Sequence, residues 1–213
     1  MSIRANIPNL LTLGNLFCGT VATIFAVQGE FKLAAIFVIV GIIFDFFDGF
    51  AARLLKVSGE LGKQLDSLAD VVTSGVAPGI IMFKLMQNNL LSASNSFDDT
   101  FFDVSLIGII LTLAACYRLA NFNIDTRQSE SFIGLPTPAM SLFVISLPLI
   151  AEYSTYSFFV ELVQNKYFLI AVTLLLSYLM NCELRLFSLK FKDFSVKNNW
   201  IKYLFLVISI ILL

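Results

Sequence analysis

The feature that most limits what this chain can fold into is a series of long apolar runs broken by short polar stretches. They lie near 10–28, 32–56, 62–86, 103–123, 137–153 and 166–186, with a shorter one at 200–213. A helix that crosses a bilayer needs about 20 such residues, because every backbone N–H and C=O in hydrocarbon must be satisfied within the segment. The expected fold is therefore all-α, a polytopic transmembrane helical bundle of six to eight spans, with seven the best count. The last run is short, tilted or cut off, and Pro148 could kink the fifth. Composition agrees: 58% of residues are hydrophobic and only 14% charged, where a soluble domain carries about a quarter charged. No repeat or second domain interrupts residues 1–213, so one membrane domain is expected. The start, MSIRANIPNLLTLGN, lacks the charged region, apolar run and cleavage site of a signal peptide. The first helix is expected to be retained.

Lysine and arginine test this layout. With the N-terminus cytoplasmic, the cytoplasmic side holds Arg4, Arg53, Lys56, Lys63, Arg118, Arg127, Arg185, Lys190, Lys192, Lys197 and Lys202. The far side holds Lys32, Lys84 and Lys166, which completes the 14 basic residues. That asymmetry is what the positive-inside rule demands. The acidic loop with Asp98, Asp99 and Asp103 falls on the far side. Trp200 and Tyr203 read as interfacial anchors, and the 22 phenylalanines as lipid-facing or packing residues without a site role.

Some chemistry is excluded. There is no histidine, so there is no Ser-His-Asp triad, Cys-His pair or His-ligated metal. Cys18, Cys116 and Cys182 are far apart in apolar surroundings, have no CxxC spacing and read as small packing residues. A net charge of −1 gives no sign of nucleic-acid binding.

Against this apolar background, residues 45–70 read DFFDGFAARLLKVSGELGKQLDSLAD. Asp45 and Asp48 are three apart, and Asp66 and Asp70 four apart, so each pair shares a helix face. With a turn at KVSGELG, Asp48 and Asp70 each lie roughly 15 Å from the hairpin tip. The two pairs meet at one depth, inside the cytoplasmic interface. Each carboxylate costs about 2.5–3.5 kcal/mol to insert on translocon scales, and no lysine is expected on these faces. Divalent cations are the simplest compensation. All-carboxylate ligation suits Mg²⁺ or Mn²⁺ rather than Zn²⁺, and four aspartates suggest two ions clamping a phosphoryl group. Gly49 and Ala52 leave room beside Asp48, and Arg53 could reach a phosphate with its planar fork. The expected ligand is a diphosphate with its headgroup in water and its tail in lipid. A lone membrane aspartate can instead be a packing or hydrogen-bonding residue, and intramembrane carboxylates also mark ion pathways. The paired spacing weighs against the first reading. The near absence of charge in the remaining spans weighs against the second.

These residues resemble a known family. Asp45-x-x-Asp48-Gly49-x-x-Ala52-Arg53, eight residues, then Gly62-x-x-x-Asp66-x-x-x-Asp70 matches the CDP-alcohol phosphotransferase signature at every fixed position. The resemblance implies metal ligands Asp45, Asp48, Asp66 and Asp70, with Asp70 also the base that deprotonates the acceptor alcohol. It implies CDP contacts from Gly49, Ala52 and Arg53. Over the first two-thirds of the chain, IPNLLTLGNLFCG (7–19), LDSLADVVTSGVAPG (65–79), YRLANFN (117–123) and FIGLPTPA (132–139) resemble the membrane-integral bacterial phosphatidylserine synthases. That implies an all-helical, commonly homodimeric enzyme of the bacterial inner membrane, surrounded by membrane lipid, with its site facing the cytoplasm. The implied reaction joins CDP-diacylglycerol and L-serine to give phosphatidylserine and CMP. Gly59, with Ser58 beside it, stands six residues after Arg53, where the family often has Ser or Thr. Ser74 stands where phenylalanine is usual, and Asn121 where a basic residue is usual.

Serine's carboxylate needs a cation, and Arg118 is the candidate, against a plain topology or headgroup anchor. Asn121 and Asn123 are weaker ones. Asn9, Thr12 and Asn15 share a face of the first helix and could line a cytidine or phosphate pocket. Asn15 could equally join helices. The alternatives are the same chemistry with glycerol 3-phosphate or inositol phosphate as acceptor, or an ion-coupled transporter.

Overall fold

The computed structural model describes residues 3–57, 59–93, 104–125 and 132–186. Helix α1 (Ile3–Gln28) turns at Gly29, whose φ of +82° favours glycine, into α2 (Phe31–Leu55). The two run together, and Ala22, Ala26, Ala34 and Ala35 are buried in the core they share. Lipid tails are as apolar as the helices, so close approach of small residues drives such packing. Large residues point outward instead: Leu10, Phe17 and Leu54 are mostly exposed, as a lipid-facing surface requires.

At its other end α2 stops at Lys56, which adopts the left-handed conformation with φ 54°. The Val57 N–H donates to the Ala52 carbonyl at 3.0 Å and the Lys56 N–H to the Arg53 carbonyl at 3.3 Å. This is a Schellman cap, with lysine where glycine is usual.

The expected third span is present but not uniform. α3 (Glu60–Val71) passes through a five-residue π-helical turn, Val72–Val76, into α4 (Ala77–Ala93). The cause lies at Thr73. Its side chain is wedged between α1 and α2 at two glycines. A β carbon on Gly19 would collide with Thr73 Oγ1, and one on Gly41 would come within 2.6 Å of Thr73 Cγ2. The Thr73 hydroxyl donates to the Asn15 carbonyl at 3.1 Å. A wider turn accommodates the wedge.

A 3₁₀ turn, Val104–Ile109, leads into α5 (Ile110–Ile124). α6 (Thr137–Tyr153) runs unbroken through Pro148. α7 (Ser157–Gln164) and α8 (Lys166–Asn181) meet at a 75° bend. Asn165 sits at that bend, and its side-chain oxygen accepts the Tyr167 and Phe168 N–H groups, capping the start of α8. The only strands among the described residues are a two-residue antiparallel pair, β1 (Phe132–Ile133) with β2 (Arg185–Leu186). Beside it Gly134, at φ +73°, donates its N–H to the Leu184 carbonyl at 2.9 Å. This folds the loop before α6 over the end of α8.

Four described stretches are long and apolar enough to cross a membrane: Asn6–Gln28, Phe31–Leu55, Glu60–Asn88 and Val104–Ile124. The bent α7–α8 pair makes a fifth if counted as one span. α6 is apolar but only 17 residues long. The expected run at 200–213, with Trp200 and Tyr203, lies outside the described residues. So do the acidic loop, Arg127, Ser58 and the basic cluster from Lys190 to Lys202. Of the cysteines, Cys18 is buried as expected. Cys116 is exposed and Cys182 half-buried, so the packing role does not extend to Cys116.

Candidate active site

The hairpin of α2 and α3 does what the spacing requires. Asp45 and Asp48 sit on one face of α2, and Asp66 on the facing side of α3. One carboxylate oxygen from each lies within 4.8 Å of the other two. Asp48 is buried, with 5% of its surface exposed. Asp45 and Asp66 act on each other electrostatically. Asp66 Oδ1 is buried and has no hydrogen-bond partner among the described residues. Carboxylate oxygens held this close repel unless a positive charge lies among them. An orphaned buried oxygen in an all-oxygen set fits a hard divalent cation.

The structure brings three of the four expected aspartates into this cluster. Asp70, one turn deeper, stands beside it within electrostatic reach of Asp45 and Asp66. Its Oδ1 accepts a hydrogen bond from Asn15 Nδ2 at 3.0 Å. On the same face of α1, Thr12 Oγ1 donates to Asp48 Oδ2 at 2.6 Å. The spacing of α1 pointed to a lining role for Asn9, Thr12 and Asn15. Asn9 and Thr12 do line the cavity beside the aspartates, Thr12 also bonds a carboxylate, and Asn15 joins α1 to α3 through Asp70. α1 is the third wall of the site.

Above the aspartates, toward the hairpin turn, lies a cavity of about 330 Å³. Gly49 and Ala52 line it from α2, Asn9 and Thr12 from α1, and Gly59 and Gly62 from the turn. A β carbon on Gly49 or Gly59 would meet nothing within 4 Å, so both leave open space. Arg53 is not among the lining residues. It is exposed, and its Nε donates to the Gly49 carbonyl on its own helix at 3.0 Å. Lys63 lines the same cavity and donates to the Asn123 carbonyl at 2.6 Å. The expectation that no lysine shares these faces is therefore corrected. Lys63 and Asp66 are three apart, which was the signal for it.

Arg118 lies deep on α5, with 8% of its surface exposed. Its charge acts on Asp70, and its Nε has no hydrogen-bond partner among the described residues. Arg118 and Asn121 face a second cavity of about 390 Å³. Asn123 instead points to α3, donating to Ser67 Oγ at 2.7 Å. Ser74 is buried inside the π-helical turn.

Comparison with known proteins agrees with this geometry. The family described as CDP-alcohol phosphatidyltransferase matches residues 5–180. A CDP-diacylglycerol–serine O-phosphatidyltransferase of Bacillus subtilis is 34% identical over 66% of this chain and 74% of its own length. One of the same description from Helicobacter pylori is 36% identical over 65% of this chain, which spans 55% of that relative. An archaetidylserine synthase of Methanothermobacter thermautotrophicus is 30% identical over 71% of this chain and 61% of its own length.

Proposed function

The chain belongs to the CDP-alcohol phosphatidyltransferase family, and on that premise we propose that it transfers the phosphatidyl group of CDP-diacylglycerol to L-serine, giving phosphatidylserine and CMP. The observation that carries this reading is the aspartate set. Asp45, Asp48 and Asp66 are gathered between α2 and α3, with Asp70 held beside them from α1. The described names of the relatives supply the acceptor.

In this reading Asp45, Asp48, Asp66 and Asp70 hold two divalent ions, Mg²⁺ or Mn²⁺. When bound, such ions neutralise the diphosphate and stabilise the charge that develops on the leaving CMP. The chain's own residues do the rest. The cavity over Gly49 and Ala52 admits the CDP group where a larger side chain would exclude it, and Arg53 swings from the Gly49 carbonyl to a phosphate. Arg118 receives the serine carboxylate. Asn15 holds one oxygen of Asp70 and leaves the other to take the proton of the serine hydroxyl. A positioned base of this kind contributes about 10²–10⁴ in rate. The serine oxygen forms its bond to the phosphorus that carries diacylglycerol, and the bond from that phosphorus to the CMP oxygen breaks.

The reading extends to the whole chain: one domain over residues 1–213, seven spans, lipid around them and a homodimer in the inner membrane. The aspartates face the cytoplasm, where serine is available and where the basic residues concentrate.

The test is CMP release by purified protein from CDP-diacylglycerol with Mn²⁺ or Mg²⁺. Serine, glycerol 3-phosphate and inositol phosphate are offered separately, with Asp70→Asn as control. Serine-dependent release that the variant loses is the expected result. Release with another acceptor alone would overturn the choice of serine and keep the chemistry. Metal-dependent tracer uptake without CMP release would replace the enzyme by a transporter.

A further inference from the structure

Two stretches outside the aspartate hairpin, YRLANFN and FIGLPTPA, wall one cavity together with the end of α8. Arg118, Asn121 and Asp125 come from successive turns of α5 and its cap. Asn181 and Glu183 come from the end of α8, and Ile133 closes the side. At about 390 Å³ the cavity is at the small end for ligand pockets, which run roughly 300–1,000 Å³.

Its charges are arranged unusually. The cation, Arg118, is more than nine-tenths buried, with an Nε that no described residue satisfies. Two acids, Asp125 and Glu183, share the lining, Glu183 from the wall opposite α5. Asn181 spends its Nδ2 on the carbonyls of Ala114 and Ser177, each at 3.1 Å, which leaves its side-chain oxygen to accept. The lining therefore sets one buried cation beside two acids and an amide oxygen. An acceptor alcohol carrying only a phosphate would meet two carboxylates and be repelled. One carrying both a carboxylate and an ammonium would be matched at both ends.

We propose that this cavity is the acceptor subsite, and that Glu183, with Asp125, makes it select a zwitterion: Arg118 takes the acceptor's carboxylate and the two acids its ammonium. This rests on the reading of serine as acceptor given above. Arg118 is the link, since its charge also acts on Asp70, so the cavity and the base share one side chain. Glu183 is then a specificity-determining residue, and it lies in the third of the sequence where no motif points to it.

The experiment is CMP release by the full chain at saturating CDP-diacylglycerol. The acceptors are L-serine, 3-hydroxypropionate (serine without its amino group) and glycerol 3-phosphate, offered to wild type, Glu183→Gln and Glu183→Asp. Glu183→Gln is expected to raise the KM for serine about tenfold or more and to lower the preference for serine over 3-hydroxypropionate by a similar factor. Its kcat and its KM for CDP-diacylglycerol should change little, which also shows that the variant is folded. Glu183→Asp should recover most of the preference. An unchanged preference in a Glu183→Gln protein that turns over serine normally would overturn the subsite and leave the proposed reaction standing. Wild-type turnover with glycerol 3-phosphate and not serine would overturn both.

Discussion

Asn15 Nδ2 lies 3.0 Å from Asp70 Oδ1, a bond between residues 55 positions apart that fixes the deepest carboxylate of the site from a neighbouring helix. Without it, Asp70 is free to rotate toward the other three acids. Asn15→Leu is therefore expected to lower kcat by about 10–100-fold, the usual effect of removing a group that orients a ligand or base. The KM for CDP-diacylglycerol should move much less. Steady-state kinetics on serine and CDP-diacylglycerol separate the two, and a loss confined to KM would assign Asn15 to the substrate instead.

Thr12 plays the matching part for Asp48, at 2.6 Å. Thr12→Val keeps the shape and removes the donor, leaving a buried carboxylate oxygen short of a partner, at about 1–3 kcal/mol. The expected outcome is about a tenfold rise in the Mn²⁺ concentration needed for half-maximal activity. Thr12→Ser should stay near wild type. Equal metal dependence in all three proteins would remove Thr12 from the site.

Gly49 and Gly59 face open cavity. Gly49→Leu should fold normally, because a β carbon there meets nothing within 4 Å, yet fill the space where CDP is proposed to sit. Its KM for CDP-diacylglycerol is expected to rise at least about tenfold, the scale of one misfitted apolar group. Gly59 has an extended backbone that any residue can adopt, so Gly59→Ser should be tolerated and add a hydroxyl to the lining. Thermal unfolding in detergent checks the fold in both. A collapse of Gly49→Leu would show that the space is not free.

Thr73 is wedged against Gly19 and Gly41. Gly41→Ala forces a methyl into Thr73 Cγ2 and is expected to destabilise by about 1–3 kcal/mol. Thr73→Ser removes that Cγ2, so the double variant should regain part of the loss. A double-mutant cycle on unfolding midpoints reads the coupling. Strict additivity would mean that the π-helical turn yields to the methyl.

Lys56 occupies a left-handed position that glycine adopts without strain. Lys56→Gly should stabilise the protein, by no more than about 1–2 kcal/mol, with unchanged kinetics. A lower unfolding midpoint would show that the lysine side chain contributes more than its backbone loses.

The parts of the site carried by local spacing were legible in the sequence. Asp45, Asp48 and Asp66 are placed by helix periodicity and a short turn alone, and the structure gathers them. Thr12 and Asn15 were recognisable as one face of α1, but their partners were not, because the rotation of α1 against the hairpin is set by tertiary packing. Glu183 was out of reach for the same reason: it shares a cavity with Arg118, 65 positions away, only through the packing of α8 on α5. The third span was read as one regular helix because Val72–Val76 carries no proline and a lone Ser-Gly pair is tolerated inside an apolar helix. Its π-helical turn comes from Thr73 meeting two glycines on other helices. The start of α8 was read at residue 166, just after its cap Asn165, but the short helix α7 before it was not, because eight residues are too few to show as a span.

The wedge has a consequence for the membrane rather than for the reaction. Immediately beneath Asp70, Thr73, Ser74 and Gly75 are buried, and below them Ala77, Ile81 and Met82 have no exposed surface. A pocket that admits serine also admits water and protons. This packed plug ends their path within one helical turn of Asp70. A row of acids can then sit in a membrane-spanning bundle without opening a polar path along α4.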